Sequence, residues 1–157
     1  MRVLIILIST MILWSCSTKN VVFKNELFKK ELDNFITEGK NEGNVLHLTI
    51  ADESDIFEDV VANNEEDIYL NFYYSAPESC LGFYKSFKYQ GRLILLYDFS
   101  EKIRFSDLLN IEKEAIKCTD NLLFKGLMDI PLKRRYYFKS LDKLVEIKED
   151  GTLRTVE

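Results

Sequence analysis

Few side chains in this chain are placed to do chemistry, and the first to weigh is His47, the single histidine among 157 residues. One imidazole rules out a multi-histidine metal centre within one chain. Asp52 and Asp55 follow it closely enough to suit a general base held by a carboxylate, but no nucleophile is marked by spacing for that base to activate. The Gly-x-Ser-x-Gly, Cys-x-x-Cys, His-Glu-x-x-His and P-loop patterns do not occur in the sequence. The residues therefore read as those of a non-enzymatic protein with no metal and no cofactor, in which His47 is a partly exposed strand histidine.

Charge is the more informative signal. Residues 41–80 contain ten acids, Glu42, Asp52, Glu53, Asp55, Glu58, Asp59, Glu65, Glu66, Asp67 and Glu78, and no lysine or arginine. Residues 81–157 carry fifteen basic and twelve acidic side chains. An acidic run of this kind is either a solvated loop or a surface that steers a cationic partner. On the second reading Asp52, Asp55, Glu58 and Asp59 are the expected partner-binding residues, and the partner is a basic protein. The calcium-loop pattern Asp-x-Asp-x-Asp-Gly is missing. A net charge of −5 argues against nucleic acid as the partner. Tyr69, Tyr73 and Tyr84 share expected outer strand positions with Asn71 and Ser86, a pairing of types suited to protein or sugar contacts.

The elements that must position these residues follow from hydrophobic period. Phe28, Leu32, Phe35 and Ile36 form one stripe of a helix over 24–38, which Gly39 ends. Alternation predicts strands at 44–51, 67–75, 82–89, 92–98, 134–139, 143–148 and 152–156, with a hairpin at Gln90-Gly91. A short helix is expected after Ser54. Another is expected after Ser106, with Leu108, Ile111, Ala115, Cys118 and Leu122 as its buried stripe. The sum is an α+β domain: a mainly antiparallel sheet with an N-terminal helix and one further helix packed on it.

The start of the chain is of another kind. Val3 to Trp14 is an apolar run of twelve residues behind Arg2, too short to span ~30 Å of hydrocarbon, which takes about 20 residues. It has the length and flanks of a secretory signal. The run ends in Leu13-Trp14-Ser15-Cys16, which resembles the lipobox of bacterial lipoproteins, with Trp14 where a smaller residue is usual. The resemblance implies cleavage before Cys16 and a diacylglyceryl group on its thiol. Residues 1–15 are then a signal peptide, 16–22 a short tether and 23–157 a single domain. Ser17 in place of an acidic residue after the cysteine implies the outer membrane, facing the periplasm. In that oxidising compartment Cys80 and Cys118 are left as a candidate disulfide. The leading expectation is a membrane-anchored binding module of the cell envelope. Behind it stand an immunity or inhibitor lipoprotein that neutralises a basic effector, and then an envelope hydrolase.

Overall fold

The structure is a computed structural model that describes residues 20–40, 42–52, 68–75, 83–116 and 132–157. Cys16, Cys80, Cys118, Asp55, Glu58, Asp59 and the helix expected after Ser54 lie outside the described residues.

Nine strands and two helical segments are described: β1 (Val21–Phe23), α1 (Glu26–Glu38), β2 (Val45–Ala51), β3 (Ile68–Ser75), β4 (Lys85–Tyr89), β5 (Arg92–Phe99), α2 (Phe105–Leu108), β6 (Leu109–Ile111), β7 (Leu132–Ser140), β8 (Lys143–Ile147) and β9 (Leu153–Val156). Seven strands form one sheet in the order β4-β5-β2-β3-β7-β8-β9, and β1 pairs with β6 as a separate ribbon. All pairs are antiparallel except β2 with β5, which run parallel with Val45 opposite Leu93. The architecture is α+β and dominated by its sheet.

Alternation decides which residues face α1. Leu46, Leu48 and Ile50 of β2 share a side with Leu70, Phe72 and Tyr74 of β3, Ile94 and Leu96 of β5, and Tyr136 and Phe138 of β7. Against them the helix places Phe28, Leu32, Phe35 and Ile36, all buried. Ring contacts stitch the layer together: Phe72 meets Phe35 at 5.0 Å and Tyr136 at 5.3 Å. Each fully buried side chain of this size contributes roughly 1.5–3 kcal/mol relative to leaving it exposed.

Local chemistry sets the ends of α1. Asn25 caps its start, accepting a hydrogen bond from the Phe28 N–H at 2.8 Å. At the other end Gly39 has φ −84°, so a left-handed cap is not why glycine stands there. A Cβ at Gly39 would lie 1.7 Å from the Tyr74 hydroxyl, which donates to the Phe35 carbonyl at 2.7 Å. Glycine is required by close approach. Arg92, buried at the sheet end, donates to the carbonyls of Gly39 and Glu42 at 2.6 Å and to that of Gly43, holding the loop that follows the helix. The Gln90-Gly91 hairpin is as expected, with φ positive at both residues, the tight turn that matches strand twist.

Two expectations need correction. The helix after Ser106 is a single turn, Phe105–Leu108, and Leu109–Ile111 then runs as β6. Leu109 and Ile111 pair with Phe23 and Val21, so Ile111, which fits the helical stripe, is used in a strand ladder instead. Val21 and Val22, read from sequence as the end of the tether, belong to β1.

One polar cluster is built into this core. Glu31 lies on the buried stripe of α1 with no exposed surface. Its Oε2 accepts from the Tyr136 hydroxyl at 2.9 Å and from Arg154 at 2.8 Å, while Asn34 donates to Oε1 at 3.2 Å. Arg154 is 42% exposed at its side chain, so the pair is unequal. Losing the cation strands a buried carboxylate, whereas losing the carboxylate leaves an arginine that can turn to water. Arg154→Leu is therefore expected to cost about 3 kcal/mol or more and Glu31→Leu distinctly less, and Arg154→Leu/Glu31→Leu is expected to recover most of the difference. Urea midpoints of the three variants check the order; equal losses would remove the asymmetry.

Candidate functional site

The acidic segment is only partly in view. Asp52 sits just past β2, where its Oδ1 accepts from the Ser100 hydroxyl and its Oδ2 from the Glu101 N–H at 3.0 Å. Burial raises the pKa of this carboxyl, but the bonds from Ser100 and Glu101 and the charge of Lys102 outweigh it and hold it below the ordinary value. Both oxygens thus fasten the β2 end to the turn after β5.

The face of the sheet opposite α1 differs from expectation. Tyr69, Asn71, Tyr73 and Ser86 are buried, and of the residues read as an outer aromatic surface only Tyr84 is exposed. His47, expected to be partly exposed, is fully buried and shares a hydrogen bond of 2.8 Å with the Tyr97 hydroxyl, its ring stacked on the tyrosine ring at 5.5 Å. Asn71 donates to Thr49 at 3.2 Å and accepts from Arg135 at 2.9 Å, and the Arg135 guanidinium lies 6.0 Å from the Tyr69 ring. Buried polar groups persist where hydrogen bonds offset their desolvation, and this is such a network. Burial pushes the Tyr73 hydroxyl up to about 12.

A groove of about 860 Å³ opens on the other side, between α1 and the β7–β9 edge. Asn34 and Glu38 line it from the helix, Lys133 and Arg134 from β7, Glu146 from β8, and Lys148, Glu149, Asp150 and Arg154 from the last hairpin. Its wall is a ladder of alternating charge. Arg134 pairs with Glu38 and approaches Glu146 at 3.8 Å; Arg154 reaches Glu146 at 2.6 Å and Glu31 at 2.8 Å. The Arg134 guanidinium also stands 5.7 Å from the Phe35 ring. Burial lowers the Arg134 pKa, but the Tyr136 hydroxyl and the charges of Glu38 and Glu146 more than reverse it. The groove thus presents both signs in fixed positions.

Among the described residues no nucleophile–base pair lines this groove, and no group of three His, Cys, Asp or Glu side chains could hold a metal ion. Sequence reasoning missed Glu31, Arg134, Glu146 and Arg154 as a set. The signal was present: each is a charged residue on a position whose period assigns it to the buried side. No family model, no curated protein and no solved structure matches the chain.

The His47 environment makes a stability prediction. Burial depresses its pKa from 6.5 to about 4, so the folded protein keeps the ring neutral while the unfolded chain takes up a proton below pH 6.5. Its contribution is complete above pH 6.5 and is lost as the pH falls toward 4, by up to ~3 kcal/mol. His47→Gln is expected to flatten that part of the stability profile between pH 7 and 4.5, measured as urea midpoints. A profile as steep as that of the parent would show that other groups cause the slope.

Proposed function

We propose that this chain is a bacterial lipoprotein, acylated at Cys16, whose domain is a non-enzymatic binding module in the cell envelope. The carrying observation is the charge-patterned groove between α1 and β7–β9, joined to a leader that ends in Leu13-Trp14-Ser15-Cys16. A protein partner of complementary pattern would dock there, held by exposed Lys148, Glu149 and Asp150, while the inner rungs keep the wall rigid. The acidic run offers a second contact for a basic partner, through Asp55, Glu58 and Asp59. That observation favours the immunity or inhibitor version of the same module. No helix among the described residues is long and apolar enough to cross a membrane; the lipid on Cys16 would supply attachment, at ~0.8 kcal/mol per buried methylene.

Two measurements test the reading. Intact mass of the membrane-fraction protein should begin at Cys16 and include acyl chains; a chain that retains Met1 and carries no lipid would end the lipoprotein assignment. Crosslinking in intact cells should lose its partner on K148E/E149K/D150K if the groove docks it. Loss on D55K/E58K/D59K alone would move docking to the acidic run.

A further inference from the structure

The β1–β6 ribbon stands where the described chain begins, and its outer side sets exposed apolar side chains beside lysines. Val22 is opposite Asn110 in the ladder, so their side chains share one side, and both are exposed. Next to Asn110 a shallow depression is lined by Lys24, Tyr84, Lys85 and Ser106. Tyr84 is 50% exposed and Val22 45%. The Lys85 ammonium lies 5.4 Å from the Tyr84 ring, and Lys24 donates to the Ser106 carbonyl at 2.8 Å. The segment after β6 runs on to β4, with Glu112, Lys113, Glu114 and Ile116 exposed. It is tied down on both flanks: Glu112 N–H donates to the Asn20 carbonyl at 3.0 Å, and Ser86 bonds both the N–H and the carbonyl of Ile116.

Chain length then fixes what this side must meet. On the lipoprotein reading, three residues, Ser17, Thr18 and Lys19, separate Cys16 from Asn20. At ~3.3–3.6 Å per residue, Asn20 lies no more than about 14 Å along the chain from the acylated cysteine. That tether is shorter than the domain is wide. The seven-stranded sheet alone measures roughly 29 Å from β4 to β9, with strands ~4.8 Å apart. The ribbon end cannot leave the bilayer surface.

We propose that the outer side of the β1–β6 ribbon, with Val22, Tyr84 and Lys85, is a membrane-contact face that seats the domain on the bilayer holding its own lipid. An aliphatic and a tyrosine ring among lysines are the side chains suited to the boundary between acyl chains and headgroups. The proposal rests on acylation of Cys16. It adds an orientation: β4 lies low, and β9 with the charged groove points away from the membrane.

Trp14 is the single tryptophan of the sequence and precedes Cys16, so the mature protein would contain none. The lipidated full-length protein is prepared as Tyr84→Trp, Val22→Trp and Leu153→Trp, and each is placed in phosphatidylethanolamine–phosphatidylglycerol vesicles with and without brominated acyl chains. Leu153 is 61% exposed on β9, at the far edge. Bromination should dim Tyr84→Trp and Val22→Trp by about twofold and leave Leu153→Trp near its unbrominated intensity, because quenching needs contact with the acyl boundary. Equal quenching at both edges, none at either ribbon position, or the reverse order overturns the orientation while acylation stands. A mass without acyl chains overturns acylation itself and the orientation with it.

Discussion

The carboxylate of Glu31 is the constraint around which the rest of the domain is arranged. A charged group placed at the centre of an apolar helix stripe must find partners or oppose folding. Here the partners come from two different strands, Tyr136 of β7 and Arg154 of β9. The helix can then sit on the sheet in one rotation and at one height, because a shift of one turn would separate the oxygen from both donors. Hydrophobic contacts between Phe28, Leu32, Phe35 and the sheet supply the larger energy, yet they would tolerate many placements. The carboxylate selects among them.

The same constraint shapes the groove. Arg154 is held by Glu31 from below and by Glu146 from the side, and Glu146 in turn approaches Arg134. Long cationic side chains ordinarily lose much rotamer freedom on docking a partner. Here much of that loss has occurred during folding. The opposite side of the sheet uses a different solution, in which His47, Thr49, Asn71 and Arg135 are buried and bonded to one another or to tyrosine hydroxyls and rings. One sheet thus carries an aromatic core on one side and a polar network on the other.

Much of this arrangement was legible in the sequence, and the failures share a cause. Helix α1, the seven strands of the main sheet and the Gln90-Gly91 hairpin follow from period and turn chemistry, which are local. Burial of the second side was not legible, because Asn71, Thr49 and His47 alternate with apolar residues as solvent-facing residues do; only tertiary hydrogen bonds distinguish the two cases. The helix expected over Leu108, Ile111 and Ala115 failed for a related reason, since β6 exists only through its ladder with β1, nearly ninety positions earlier in the chain. Gly39 was placed rightly and explained wrongly: its Cβ would collide with Tyr74, a contact no helix-stop rule contains. The charged groove was readable in principle, as charges on inward positions, but its residues come from four separate elements.

Where the partners of Glu31 sit in the chain also sets an order of events. Arg154 follows it by 123 residues and stands on the final strand. An emerging chain can form α1 and β2 early, but the helix carries a carboxylate without its cation until β9 has been made. The seating of α1 and the addition of β9 to the sheet edge are therefore coupled, and a chain that stops short of β9 would lack the contact that seats its helix.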